Sequence, residues 1–476
     1  MMNADSVVIG NSLSALVAAT ELERLGHEVT IVKPPGPWGG YFSGVRAHDQ
    51  TFDAGMVMLE FTAFAAQAGL GEIESYDPLV RNDIGRFASV VRDWAHARFS
   101  TREIAPLSMW VAGATLPDLI MGNDLDALAQ LPFAESALID LRSARPAGDL
   151  HASQKARGPA FEACEFEVAS RANHGNTLHD RLMAPFLEKV MAPHAQYVLA
   201  RYHRIPWLPL YWPETLASVL AGAPAPFTAS PLAYPVDTTV ADVVSLLAPP
   251  LVASPRVRLI DQWPIGFKPS GRGGRLTFSD GATIEARHVA WAHSASTLIE
   301  ALGEEAPSPE LRRVPLALAL FNVPSTSIRS AFSVLQVVDP GFVLYRITDL
   351  TACAGGSETP RKWVVEFNLH VFEARYGPGH SDESILELTA DEIHKLGLVS
   401  EPGEMVTLAV RRIPGGFAVP DRESLDAWTQ DRKIIDANAP AISLMGPASG
   451  FMVTSFNDQV VQGLKFARQV DAGHPH

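Results

Sequence analysis

Cysteine is nearly absent. Cys164 and Cys353 are the only two in 476 residues, too few and too far apart for a disulfide framework or a thiolate metal cluster. No H-E-x-x-H or Cys/His cluster occurs either, so no metal site is expected. Cations are outnumbered, with 38 Lys and Arg against 53 Asp and Glu and a net charge of −15. That balance disfavours a sequence-independent hold on nucleic acid, which relies on cations neutralising phosphates. Long apolar runs are missing too: Val314 to Phe321 falls well short of the roughly 18 residues that suggest a membrane span. The N-terminus enters its first strand without a basic n-region or an apolar h-region, so no secretory signal is expected. These absences predict a cytoplasmic protein in a reducing compartment. A hydrophobic fraction of 47% and a charged fraction of 19% are those of a folded chain, with length for two or three domains.

What is present is organised around Asp5 to Lys33, which reads as strand, tight turn, helix and strand. Val7, Val8 and Ile9 form a short buried strand, and Gly10 permits a turn that a Cβ would resist. Leu13, Leu16, Val17 and Leu25 give the helix an apolar face, Gly26 ends it, and Glu28 to Val32 supply the second strand. Such a unit aims the unpaired N–H groups and positive dipole end of its helix at a place where a pyrophosphate can sit. In the dinucleotide pattern G-x-G-x-x-G/A, Gly10 and Ala15 match. Ser12 replaces the middle glycine, small and able to donate. Lys33 is the larger departure, standing where an acid would accept ribose hydroxyls.

Further along, Gly39 and Gly40 mark a loop where backbone passes close to something, and Phe52, Asp53 and Gly55 read as a short returning strand. Residues from about 60 to 160 read as a mixed insertion with a helical piece at Asp124 to Leu131. Helical periodicity runs through Leu178, Leu182, Phe186, Leu187 and Val190. Tyr234 to Thr239 precede an apolar-patterned helix, Val240 to Leu247, and Arg256 to Ile260 read as a strand. An Asp280-Gly281 turn joins Arg275 to Phe278 and Thr283 to Ala286 as a hairpin, with a further strand at His288 to Ala292. Val314 to Val323, Phe342 to Thr348 and Lys362 to Leu369 read as strands, and Asp382 to Leu396 as a helix. The strand period sets Arg346 and Glu366 inside apolar runs, as a structural ion pair or as a substrate contact. Near the end come a strand at Ala441 to Met445, a loop at Gly446 to Gly450, and a helix capped by Ser455 or Asn457.

In this order the pieces resemble the flavin amine oxidase superfamily, which includes protoporphyrinogen oxidases, phytoene desaturases and UDP-galactopyranose mutase. The match is carried by the βαβ unit, Gly39-Gly40, D-x-G at Asp53, Pro185 and Lys189 in an "fxxPxxxKvxg" segment, the Tyr234-Pro235 turn and the C-terminal helix. The resemblance implies an α/β fold: a Rossmann-type FAD-binding domain from residues 1–62, 230–300 and 430–476, and a mixed α+β substrate domain from 63–229 and 301–429. It implies FAD at Gly10, Asn11, Ser12, Ser14, Ala15, Lys33, Gly39, Gly40, Tyr41, Val257, Gly446, Ser455, Asn457 and Val460.

The expected reaction is oxidation of a small-molecule amine or activated C–H by hydride transfer to flavin N5, with a homodimer left open. No general base stands out. His174, Lys189, Tyr345 and Arg346 are the candidates, each as readily structural. Two alternatives remain: a non-redox flavin mutase whose Arg201, Arg204 and Arg346 pair with a sugar-nucleotide diphosphate, and a flavin-free relative used for binding or assembly, which Ser12 and Lys33 suggest.

Overall fold

The computed structural model describes residues 2–61, 84–143, 164–225, 232–305, 311–357, 360–450 and 455–473. Much of the expected insertion over 60–160 lies outside them. The N-terminal apolar pattern becomes strand Met2–Ile9, helix Leu13–Arg24 and strand Val29–Val32. Val7, Val8 and Ile9 are buried because parallel strands flank them on both sides, Val29–Val32 on one and Thr283–Trp291 on the other. Val257–Ile260 extends the parallel set beyond Val29–Val32, and Gly273–Phe278 and Pro264–Ser270 continue it antiparallel past Thr283–Trp291.

Three sequence expectations change here. His288 to Ala292 is no separate strand, because Thr283–Trp291 runs unbroken and its second half stays in register with Val7 to Ile9. The strand expected over Ala441 to Met445 shrinks to Ser443–Leu444. Gly273–Phe278 already pairs with residues 283–286 of that neighbour, leaving Ala290 and Trp291 to take the newcomer. Finally, the strand before Asp53 stops at Phe52. The Asp53 carboxylate turns away to accept the Ala241 amide at 2.8 Å and the Tyr234 hydroxyl, at the N-terminus of helix Val240–Ala253.

A second sheet runs in the order Val406–Ala418, Arg313–Val323, Arg361–Asn368, Leu344–Asp349, Val334–Val337, Ser108–Val111, Ala114–Pro117. The protein is thus mixed α/β, with parallel and antiparallel pairing. One apolar cluster contains Val8, Leu16 and Ile31 of the first sheet region together with Leu318, Leu320 and Val364 of the second. Fully burying each such side chain stabilises by about 1.5 to 3 kcal/mol, so the two sheets are held by a shared core. The helical stretch before Trp212 is not continuous. Phe166–Leu178 is interrupted at Gly175, whose φ is 73°, and a π-turn at His179–Met183 leads into Ala184–Met191. Asp124 to Leu131 is a 3-10 helix, Leu125–Gln130, with Asp124 as its cap.

Candidate cofactor and substrate site

Three distant segments meet at the start of the first helix. Gly10, at φ 131°, donates its amide to Val32 O at 2.9 Å, and a Cβ there would stand 2.5 Å from Ala292 O. Ser12 caps the helix by accepting from the Ala15 amide at 3.3 Å, and its hydroxyl lies 2.8 Å from that of Ser14. The Ser14 amide donates to Gln459 Oε1 at 3.2 Å. Gly39, at φ 92°, donates to Asn11 O at 2.8 Å, and the Asn11 side chain reaches back to Pro37 O. From the far end of the chain, Gly446 arrives so close that a Cβ would lie 3.0 Å from both Ser12 Oγ and Ser14 Oγ. Small residues and hydroxyls therefore surround the positive end of the helix dipole, a setting that suits a pyrophosphate.

The remaining cofactor candidates surround this turn to differing degrees. Lys33 Nζ closes its own loop, donating to Gly36 O at 2.6 Å and Pro34 O at 3.3 Å, and lies 5.3 Å from the centre of the Trp38 ring. Gly40 stands above Ser12, the nearest atom to its absent Cβ being Ser12 Cα at 3.7 Å. The Tyr41 hydroxyl donates to Ala54 O. Val257 sits on the strand that flanks Val29–Val32. Ala15 and Val460 are wholly buried in the core beneath the turn. Ser455 forms a capping box with Asp458 at the start of helix Phe456–Asp471. Asn457 is not a cap: it faces inward, accepting from the Glu60 amide at 3.3 Å and donating to Glu60 O at 2.7 Å.

A second polar group lies under the Asp53–Met58 loop. Glu366 accepts the Met56 amide at 3.0 Å and the Tyr345 hydroxyl at 3.2 Å, and stands 3.6 Å from Arg346 Nη1. Burial, followed by the Glu366 charge, pushes the Tyr345 phenol well above its usual range, so it stays protonated and donates. Arg346 Nε donates to Gln336 Oε1 at 3.2 Å, while its buried Nη2 has no hydrogen-bond partner among the described residues. Its guanidinium lies 5.6 Å from the Trp207 ring and 5.3 Å from that of Tyr345. Trp207 holds a φ of 65°, costly for a bulky side chain, and Arg204 Nη1 donates to its carbonyl at 3.4 Å. Arg204 and Arg346 thus both contact Trp207. Arg201 instead packs over Tyr202.

The other two catalytic candidates are occupied structurally. Lys189 is buried and donates to Val337 O and Leu344 O at 3.0 and 3.2 Å; burial lowers its pKa to about 7. His174 accepts the Tyr211 amide on Nε2 at 2.9 Å and meets Ser170 Oγ through Nδ1. Burial, helped by the charge of His179, lowers its pKa to about 3. Of the four, Tyr345 and Arg346 come together, Lys189 braces their strand through Leu344 O, and His174 stands apart.

Sequence reasoning missed Gln459, Gln462, Gln336 and Trp207. The two C-terminal glutamines had a signal, being polar positions on a helix whose Val460, Leu464 and Phe466 face the core. Gln336 and Trp207 had none.

No protein-family model matches the chain, and no curated protein matches it. Solved structures do. A reduced UDP-galactopyranose mutase superposes with a TM-score of 0.70 at 15% identity over 99% of this chain and 96% of its own. A protoporphyrinogen oxidase-like protein from Exiguobacterium gives 0.62 at 16% over the full length of both chains. Cyclohexylamine oxidase from Brevibacterium oxydans gives 0.58 at 14% over 99% of each. The chain shares their fold. The resemblance read from the sequence is met at that level, and two of the groups it named are among these neighbours. Among the described residues no helix is long and apolar enough to cross a membrane, and no group of three His, Cys, Asp or Glu could hold a metal.

Proposed function

We propose that the protein is an FAD-dependent oxidoreductase acting on a small amine or an otherwise activated C–H carbon. The observation that carries this reading is the convergence of Gly10 to Ala15, Gly36 to Gly40 and Gly446 on one helix N-terminus. In this reading the Ser12 and Ser14 hydroxyls meet the pyrophosphate, Gly39 and Gly446 leave it room by lacking a Cβ, and Val257 with the Lys33 loop borders the adenosine. Tyr41 and Ser455 would border the ring, and Asn457 would support that end from beneath through its bonds to Glu60. The cofactor domain is drawn from residues 1–62, 230–300 and 430–476 as a Rossmann-type unit, and the substrate domain from the rest.

Bound flavin supplies the acceptor for a hydride, and the chain's residues do the remainder. The Glu366 link to Met56 fixes the Asp53–Met58 loop against the substrate sheet. Protonated Tyr345 keeps Glu366 oriented, and the apolar core shared by the two sheets excludes water from beneath that loop. Arg346 Nη2 offers a buried donor to an electronegative substrate atom.

A second reading is favoured by the mutase superposition and by the Arg204–Trp207–Arg346 arrangement: a non-redox mutase in which these arginines meet a sugar-nucleotide diphosphate. A third is a flavin-free relative. Mass identification of the molecule released on denaturation separates the third from the others, and activity only after dithionite reduction separates mutase from oxidase. Ser12→Asp tests the site itself, because aspartate retains the helix cap while setting a negative charge against the pyrophosphate. The expected result is a folded protein without flavin, and full flavin retention would overturn the placement.

A further inference from the structure

Against Ser443 to Met445 and Ser449 lies a cavity of about 520 Å³ whose lining includes neither Ser12 nor Ser14. It exists because Ser443–Leu444 is so short. The strand Thr283–Trp291 carries Gly273–Phe278 along one part of its edge and Ser443–Leu444 along another. Between them the hairpin turn at Arg272 docks by accepting the Val289 amide at 2.9 Å. The notch is closed by helices Arg422–Asn438 and Phe456–Asp471.

The charge of the lining is unlike that of the molecule. In a chain with a net charge of −15, the described residues lining this cavity include Arg272, Arg432 and Lys465 and no carboxylate, and Lys465 has a partner of its own. Arg432 is bound to Asp436 through contacts of 2.9 and 3.0 Å, so its charge is largely balanced. Arg272 forms no ion pair among the described residues and stands exposed on its turn. The apolar part of the wall comes from the half-buried Trp428 with Ile442 and Phe466. The volume is within the range of small-molecule sites and far exceeds what a bare phosphate fills.

We propose that this cavity is a second ligand site, separate from the cofactor turn, that takes an organic phosphate. The phosphate meets Arg272, where a charge-assisted hydrogen bond is strongest, and the organic part lies along Trp428. The site is walled off from the cofactor by Gln462, which accepts the Gly446 amide at 2.6 Å and donates to Ser449 Oγ at 3.1 Å. A ligand here therefore does not compete for the pyrophosphate position.

The test is calorimetric titration of the purified full chain with phenyl phosphate and, separately, with inorganic phosphate. One-site binding is expected, several-fold tighter for phenyl phosphate, and weakened about tenfold or more by Arg272→Glu, a change on an exposed turn that leaves the fold intact. Ser12→Asp, at the cofactor turn, should leave this binding unchanged. Three results would each overturn the assignment: no binding of phenyl phosphate, equal affinity for the two probes, or binding that survives Arg272→Glu and is lost in Ser12→Asp.

Discussion

Arg346 and Glu366 lie on adjacent strands of one sheet and meet at 3.6 Å with only 2% and 4% of their side chains exposed. Breaking a buried pair from one side leaves an uncompensated charge and costs about 3 to 5 kcal/mol. Glu366→Leu also abandons the Met56 amide. We expect Glu366→Leu to melt at a markedly lower temperature than the parent, and the Arg346→Met/Glu366→Leu double variant to recover the part due to the uncompensated Arg346 charge, with the Met56 amide and Tyr345 hydroxyl still unsatisfied. Thermal unfolding of the three proteins checks this, and a double variant no more stable than the single would argue against the pair as the source.

Asn457 joins the C-terminal helix to Glu60 by two hydrogen bonds while only 2% exposed. Asn457→Ala removes both, at about 1 to 3 kcal/mol for the buried groups left unsatisfied. Asn457→Arg should go further and fail to fold, since the longer side chain has no room. Soluble yield and melting temperature of the two variants give the comparison; a fully stable arginine variant would show that the side chain swings outward.

His174 makes stability depend on acid. Its pKa falls from 6.5 in the unfolded chain to about 3 in the fold, so between those values the unfolded state binds a proton that the native state refuses. The contribution is complete above pH 6.5 and is lost as the pH falls toward 3. Burial raises Asp53, Asp118 and Asp349 from 3.8 to about 6, and these act oppositely, their contribution being lost as the pH rises through 6. His174→Gln should therefore flatten the decline in melting temperature between pH 6.5 and 4.5 relative to the parent. An unaltered slope would mean that the ring is reached by water.

On the proposed reading, Lys33 takes the position of the acid that accepts ribose hydroxyls. Replacing a mismatched partner in a partly buried site is worth about 1 to 3 kcal/mol, so Lys33→Glu should tighten FAD binding by about tenfold in titrations of apoprotein. Weaker binding would show that the lysine's hold on Gly36 O, at 2.6 Å, matters more by shaping the loop.

The parts of this fold written in short-range pattern were legible. The βαβ opening, the Asp280-Gly281 hairpin and the capped helix at Ser455 follow from periodicity, turn chemistry and capping. What failed depended on competition for partners. Ala441 to Met445 has the composition of a strand, but most of its neighbour's edge was already taken. Asp53 belongs to a strand by pattern, yet the N-terminus of a helix nearly 190 residues later captures its carboxylate. Asn457 looks like a cap and faces inward because Glu60 offers both a donor and an acceptor. Glycine at position 446 gave a loop signal, but its approach to Ser12 and Ser14 is a tertiary fact with no local trace. The Arg346–Glu366 pair was readable as charges inside apolar strands; the Trp207 ring beside it was not.

The hydrogen bond from the Ser14 amide to Gln459 spans 445 positions, which gives it a meaning in time as well as in space. At roughly 5 to 20 residues per second on the ribosome, the partner of that amide emerges about 20 to 90 seconds after the turn it steadies. Throughout that interval the part of the first helix that the C-terminal helix later covers lacks that partner on the nascent chain. Maturation of this turn therefore waits on the last helix, and a ribosome that stalls before Ser455 leaves a polypeptide whose turn has its local bonds but not the Gln459 acceptor for the Ser14 amide.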